Sequence, residues 1–245
     1  MTATNEWFSD WFDTDYYHIL YKNRDDSEAR ILIQNLCNFL NLKSNSSLLD
    51  LACGKGRHSI ILNDLGHKVL GVDLSQNSIC FAKTYEKRGL HFEVHDMRKI
   101  IPNLSFDVIF NLFTSFGYFD SPVDNKKVIS SMANMLYEKG LVVIDFLNAD
   151  KVVTNLLPKE EKTIDDIQFL IERIVEKGYV YKKITVIDKE KTKKYVERVQ
   201  LLKLDDFQKL MWPEFKILHT FGSFDLKTFD AAYSDRLIII AEKNA

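Results

Sequence analysis

From residue 48 to residue 147 short runs of buried-strand composition alternate with segments of helical period, and that alternation leaves few folds open. Residues 48–52 read as a strand, 55–65 as a helix ended by Gly66, 68–73 as a strand, and 75–88 as a helix capped by Ser75 and stopped at Gly89. Residues 91–95, 106–111 and 141–147 supply three more strands, with a helix near 124–137 between the last two. Strands joined by helical crossovers pair in parallel and take helices on both faces. The predicted fold class is therefore α/β, a Rossmann-like, doubly wound sheet.

The flanks read differently. Residues 1–45 predict a helical lead-in, with Asp25, Asp26 and Ser27 offering an N-cap before an apolar stripe of Ile31, Ile33, Leu36, Phe39 and Leu40. The tyrosine-rich segment before it, WFDTDYYHILYKNRD, suits a helix or a lid. Residues 160–203 carry β-branched and aromatic runs split by Lys177-Gly178 and by a charged stretch at 188–194, which predicts an antiparallel β meander inserted into the main sheet. KEKTKK within it reads as a solvated hairpin tip, since acids are interleaved with its lysines. A helix at 207–212 and strands at 215–221 and 237–241 complete one domain over residues 1–245.

Bulk properties remove several function classes. The net charge is −2, so nothing steers the chain toward nucleic acid or an anionic membrane. Cys37, Cys53 and Cys80 are odd in number and show no C-x-x-C spacing, which argues against a disulfide framework or a zinc site and suits a reducing cytoplasm. The opening MTATNEWFSDWF has no basic region followed by an apolar one, and no apolar run nears the ~18 residues of a membrane span. A cytoplasmic protein is expected. The sequence does not specify its oligomeric state.

The chemistry concentrates in LLDLACGKGRHSIIL, residues 48–62. A buried strand ends at Asp50-Leu51-Ala52, turns through Cys53-Gly54-Lys55-Gly56, and enters a helix. Gly54 and Gly56 let the chain bend sharply and bring its backbone close to a ligand, which a Cβ would block. The next strand ends at Asp73, 17 residues beyond Gly56, where a carboxylate can accept both hydroxyls of an adenosine ribose. The third ends at His95-Asp96-Met97, placing another acid where an adenine amino group could be read. Dinucleotide enzymes want G-x-G-x-x-G, yet here Arg57, His58 and Ser59 follow the second glycine. Asp50, set before the loop, would repel a pyrophosphate and suit the ammonium of a methionine moiety.

In combination these residues resemble the class I S-adenosylmethionine-dependent methyltransferases. DLACGKGRHS is similar to the family's first motif, GVDLS to its ribose motif, and HDMRKI with FDVIFNLFTSFGYF to the adenine and post-strand-4 motifs, while RLIIIAEK resembles the last strand. The tyrosine-rich segment and the meander resemble a subgroup that includes small-molecule N-methyltransferases. The resemblance implies S-adenosylmethionine as cofactor and a seven-stranded sheet with its last strand antiparallel. It also implies that Asp50, Ala52 and Gly54 line the methionine moiety, with Asp50 near its amino group. Asp73 would hold the ribose, Leu74 would pack on the adenine, Asp96 and Met97 would contact its edge, and Asn111 would sit under the sulfonium side. Ala52 departs from the pattern, standing where many members have the first glycine.

Methyl transfer from a sulfonium is an in-line displacement, for which the protein chiefly supplies position and orientation. A neutral amine needs no strong base, whereas a hydroxyl acceptor needs a base or a metal. No metal-ligand spacing is visible, and no catalytic residue is assigned. Phe113, Phe116, Tyr118 and Phe119 could wall the acceptor or belong to the core. Tyr16, Tyr17 and Tyr21 could close over the site or pack a helix on the sheet. His58 fits a first-turn packing or solvent-facing residue, and Cys53 a small residue in a tight turn. The expected function is methyl transfer to a small molecule on nitrogen. Two alternatives are cofactor binding without turnover and an NAD(P)-dependent oxidoreductase.

Overall fold

The computed structural model describes residues 7–22 and 26–244. Three helices, α1 (Trp7–Phe12), α2 (Asp15–Leu20) and α3 (Asp26–Phe39), lead into an alternating core. That core runs β1 (Ser47–Leu51), α4 (Arg57–Asp64), β2 (Lys68–Asp73), α5 (Gln76–Ala82), β3 (Leu90–Val94), β4 (Phe106–Asn111), α6 (Pro122–Asn134), β5 (Leu136–Leu147) and α7 (Ala149–Thr154). Four strands follow, β6 (Lys159–Ile164), β7 (Ile167–Glu176), β8 (Tyr179–Asp188) and β9 (Lys191–Gln200), then α8 (Leu204–Met211), β10 (Phe215–Phe221) and β11 (Arg236–Lys243).

The main sheet has seven strands in the order β10-β11-β5-β4-β1-β2-β3. Strands β1 to β5 are mutually parallel, and β11 runs antiparallel to both β5 and β10, so the last strand is the reversed one, as expected. The order reverses beside β1, which puts the ligand crevice of such a sheet over the carboxyl ends of β1, β4 and β2. The central strands are apolar on both faces: Leu48, Leu49, Val108, Ile109, Phe110, Val142, Val143 and Ile144 are all buried. Parallel strands sandwiched between helix layers require this.

Several boundaries and one face differ from the expectations. The meander pairs with no strand of the main sheet. It forms a separate four-stranded antiparallel sheet, β6-β7-β8-β9, whose inner face is closed by α1 and α2 through Trp11, Leu20, Phe169, Ile171, Ile184 and Val186. Its charged tip shrinks to Lys189-Glu190, because Lys191, Lys193 and Lys194 continue as β9. On α3 the buried stripe is Ala29, Leu32, Ile33, Leu36 and Cys37, while Ile31 and Phe39 face solvent. Those buried positions follow a helical i, i+3, i+4, i+7, i+8 spacing from Ala29, whereas ranking residues by hydrophobicity alone picks Ile31 and Phe39. Of the expected cap of α3, Asp25 lies outside the described residues, as do residues 1–6 of the lead-in.

Helix α5 ends at Ala82, short of the expected 88, and passes into a single 3-10 turn at Lys83–Tyr85. Its start is as the sequence suggests, with the Ser75 hydroxyl accepting from the Ser78 N–H. Helix α6 begins earlier, capped by Ser121 with Pro122 in its first turn, where a missing N–H costs nothing.

Candidate active site

The bend after β1 is built from three left-handed residues: Ala52 at φ 66°, Gly54 at 56° and Gly56 at 83°. For Ala52 that conformation costs roughly 1–2 kcal/mol. Its neighbours hold it there: the Cys53 N–H donates to the carbonyl of Val72 at 2.9 Å, and the Gly54 N–H to Oδ2 of Asp73 at 2.8 Å. The two glycines answer different needs. A Cβ on Gly56 would lie 2.6 Å from the Phe92 ring, so Gly56 seats α4 against β3. A Cβ on Gly54 would meet nothing within 4 Å, because the space in front of it is an open cavity.

That cavity has a volume of about 640 Å³, inside the range of roughly 300–1,000 Å³ typical of small-molecule sites. It is lined by Ala52, Gly54, Asp73, Leu74, Asp96 and Met97, from the carboxyl ends of three neighbouring parallel strands, and by the aromatic residues Tyr17 and Tyr21 of the lead-in and Phe113 and Tyr118 from the segment after β4. With Cys53, His58 and Phe119, which also line it, thirteen of the residues singled out in the sequence thus surround one space.

Four others do not line it. Asp50 is buried behind the bend and accepts the Ser59 hydroxyl at 2.6 Å. Ser59 stands where a dinucleotide motif would carry its third glycine. Gly56 faces Phe92. Asn111 is buried, and its amide donates to the carbonyl of Leu51 at 2.9 Å, bracing β4 on β1. Phe116 is core, its ring 5.7 Å from that of Phe207. Among the tyrosines, Tyr16 turns to the inserted sheet, donating to Asp188 at 2.9 Å.

Charge in the site is set by burial and by a few partners. Burial pushes the Asp73 carboxyl up, resisted by the N–H groups of Ser75, Gly54 and Leu74. Oδ2 of Asp73 takes the Gly54 N–H and Oδ1 the Ser75 N–H, both at 2.8 Å, with the Leu74 N–H also acting on the carboxylate, and a carboxylate has about four acceptor positions in all. At Asp96 burial also pushes upward, but hydrogen bonds from Arg98 outweigh it and hold the carboxyl below its ordinary value. Burial raises the Cys53 thiol well above its ordinary value, which makes it a poor nucleophile.

Asp50 is the most perturbed of the loop acids: burial lifts it from 3.8 to about 6, against the Ser59 hydroxyl bond. A carboxyl raised in the folded state favours folding fully below its unfolded value, and that contribution is lost as pH rises through the folded value. The charged form therefore weighs on stability above about pH 6 and not below about pH 4. Asp50→Asn keeps an acceptor for Ser59 and removes the charge. We expect it to raise stability by about 1–2 kcal/mol at pH 8, with the gain gone at pH 4. Thermal melts of both proteins at the two pH values would measure this, and an equal gain at both would contradict it.

Residues the sequence reading passed over complete the walls. Phe8 and Phe12 from α1, Glu197 and Val199 from β9 and Arg236 from β11 all line the cavity. The aromatic positions 7, 8, 11 and 12 carry a helical i, i+3, i+4 spacing that points to a packed helix, and Glu197 sits between Tyr195 and Val199 on one strand face, a charge on an otherwise apolar side. The lead-in is tied down beside Asp73. Asp13, between α1 and α2, accepts from the Ser75 hydroxyl at 2.5 Å and from the Asn77 N–H at 3.0 Å.

The chain also matches known proteins in sequence and in fold. A family model described as a methyltransferase domain matches residues 42–200. The ubiquinone biosynthesis O-methyltransferase of Bradyrhizobium diazoefficiens is 30% identical over 112 residues, 44% of this chain and 43% of that one. The dTDP-3-amino-3,4,6-trideoxy-alpha-D-glucopyranose N,N-dimethyltransferase of Streptomyces venezuelae is 30% identical over 102 residues, 41% of this chain and 42% of that one. The matched stretch thus spans less than half the length of these relatives. The crystal structure of an S-adenosylmethionine-dependent methyltransferase from Clostridium acetobutylicum superposes with a TM-score of 0.79 at 22% identity, over 94% of this chain and 96% of that one, a likeness of fold. No helix among the described residues is long and apolar enough to cross a membrane.

Proposed function

The chain belongs to the class I S-adenosylmethionine-dependent methyltransferase family, and from that premise we propose that it transfers a methyl group to a nitrogen atom of a small molecule. One observation carries the reading: a single cavity is lined by the glycine bend, two strand-end acids and a set of aromatic side chains.

The bend and the strand-end acids fit the cofactor. The space in front of Gly54 is clear of side chains, and Asp73 keeps acceptor capacity for the ribose hydroxyls. Ala52 and Gly54 would hold the methionine part, Leu74 and Met97 the faces of the adenine, and Asp96, kept ionised by Arg98, its amino group. Asp50 would act from behind, by fixing Ser59 and hence the first turn of α4. Bound in this way, S-adenosylmethionine supplies an activated methyl on a sulfonium and departs as a neutral thioether.

The aromatic side chains exclude water and orient the nucleophile against that methyl, which is the larger part of what such a reaction asks of a protein. Nitrogen is favoured over oxygen because a neutral amine attacks without a strong base. The N,N-dimethyltransferase relative supports the same acceptor atom, while the O-methyltransferase relative of equal identity makes alcohols the necessary control.

Calorimetry provides the test. S-adenosylhomocysteine should bind one to one with micromolar affinity, and nicotinamide dinucleotides should give no heat. Labelled S-adenosylmethionine incubated with a panel of amines, alcohols and RNA should deliver label to amines. Dinucleotide binding in place of the nucleoside would overturn the reading, and transfer confined to alcohols would overturn the nitrogen assignment.

A further inference from the structure

We propose that the outer face of the inserted sheet is covered by the same face of a second copy of this chain, giving a two-fold dimer. The inference goes beyond the methyltransferase reading and stands independently of it.

Side chains alternate between the two faces of a strand. On β7 and β8 Phe169, Ile171, Ile184 and Val186 point inward and are buried under α1 and α2. Leu170, Ile174, Tyr181 and Ile187 therefore point outward, and with Val196 of β9 they give the outer face an apolar centre. Among the described residues, none of these five joins or packs against an apolar core cluster. Ile174 is 39% exposed and Val196 41%. An antiparallel sheet that turns one face to water ordinarily carries polar residues there.

The charges around this centre follow the pattern that a two-fold contact requires. One row across the sheet, from β6 to β9, reads Glu161, Leu170, Thr185, Lys194, and the next reads Lys159, Glu172, Lys183, Val196. In a two-fold contact residue i meets j and j meets i. An axis parallel to the strands, between β7 and β8, lays each row on its own copy in reverse order. Glu161 then meets the partner's Lys194, and Glu172 meets the partner's Lys183. Leu170 falls on the partner's Thr185, Ile174 falls on the partner's Tyr181, and within these rows no like charges oppose each other.

The charged groups are accessible for such contacts. All four are exposed, and Lys183 and Lys194 have no carboxylate partner in their own chain among the described residues. Glu172 meets Lys159 at 3.6 Å with both side chains more than half exposed, and Glu161 accepts from the Gln168 amide. Exposed contacts of this kind contribute little and are readily shared. The face is also large enough. Strands β7, β8 and β9 have ten residues each. Four strands spaced at ~4.8 Å with ~3.4 Å of rise per residue make a face of roughly 650 Å², close to the roughly 800 Å² per partner of a specific interface.

Analytical ultracentrifugation of the full chain at micromolar concentration should show a species of twice the 28.6 kDa of one chain. Glu172→Lys sets two lysines against each other at both symmetric contacts, and Lys183→Glu sets two carboxylates against each other. Each variant alone should sediment as a monomer, with self-affinity at least about 100-fold weaker, since like charges juxtaposed in an interface are strongly unfavourable. An equimolar mixture of the two variants should recover the dimer, because every contact then joins opposite charges. Mixing leaves the contacts within each chain unchanged, so recovery reports the interface alone. A monomeric wild type, a dimer that survives in both single variants, or a mixture that stays monomeric would each overturn the proposal. Should either charge variant fail to fold, Ile174→Glu at the apolar centre takes its place: it should be monomeric, and a dimer as strong as wild type would overturn the proposal.

Discussion

Asp73→Ala is expected to weaken S-adenosylhomocysteine binding by roughly 100- to 1,000-fold while leaving the protein folded. The carboxylate holds two things at once. Oδ2 fixes the Gly54 N–H at 2.8 Å and so sets the bend, and Oδ1 fixes the Ser75 N–H at the mouth of α5. In the proposed complex the remaining lone pairs take the ribose hydroxyls. Hydrogen bonds to a charged group are worth about 1.5–3 kcal/mol each, and losing a pair of them accounts for an effect of this size. Stability at alkaline pH should respond far less than binding. Burial raises the Asp73 carboxyl above its ordinary value, so its contribution to folding is present at acid pH and lost as pH rises through the raised value. Removing the charge then offsets the two lost backbone bonds, and the melting temperature at pH 8 should move by only a few degrees. Calorimetric titration beside a thermal melt separates the two effects. A variant that binds the nucleoside within threefold of wild type would mean that Asp73 serves the bend alone.

The parts of this molecule that could be read from its sequence are those whose cause is local. The stretch from Leu48 to Asp73 encodes strand, bend, helix and strand within a span where periodicity, the glycines of the bend and the acids at the strand ends all point one way. Ser75 could be recognised as a cap for the same reason. What escaped depends on contacts between distant segments. Asp50 and Asp73 look alike in sequence, each an acid closing a parallel strand, yet Ser59 turns the first away from the cavity and the Gly54 N–H helps hold the second at its wall. Phe113 and Phe116 are three residues apart in one aromatic run, but only the fold around Phe207 decides that the second belongs to the core. Glu197 reaches the site through a sheet that the meander forms on its own, and its partners Trp11 and Tyr21 are more than 170 residues away in the chain. The Asp13 contact with the start of α5 spans over 60 residues and carries no local signature. Residue type therefore announced the glycine bend and its strand-end acids, while which of the aromatic and charged residues join them round one cavity emerged from tertiary packing.

Asp145→Ala should be the most destabilising single change in the site, at about 3–5 kcal/mol, which for a chain of this length is a fall in melting temperature of roughly 6–20 °C. Asp145 is wholly buried on β5, between β4 and β11. Its Oδ1 accepts from Arg236 Nε at 2.8 Å, its Oδ2 from the Phe113 N–H at 2.9 Å, and its main-chain carbonyl from the Thr114 N–H at 2.9 Å. Arg236 in turn donates to the Thr114 hydroxyl at 3.0 Å. This network holds Phe113 and Thr114 in two consecutive left-handed conformations, both at φ 60°, each of which costs a side-chain-bearing residue roughly 1–2 kcal/mol. Without the carboxylate, the Arg236 charge and the Phe113 N–H lose their partner together, and the strained turn is free to relax. Because Phe113, Thr114 and Arg236 line the cavity, the aromatic wall should move while Gly54 and Asp73 stay in place, so amine affinity should drop further than nucleoside affinity. The double variant Asp145→Leu with Arg236→Met removes both charges and should recover much of the stability, since the larger part of the penalty comes from stranding one partner. Recovery of stability in the double variant without recovery of amine binding would separate the electrostatic role of the pair from its role in shaping the turn. A single variant that melts within 2 °C of wild type, or a double variant no more stable than the single, would show that this buried pair does not hold the wall.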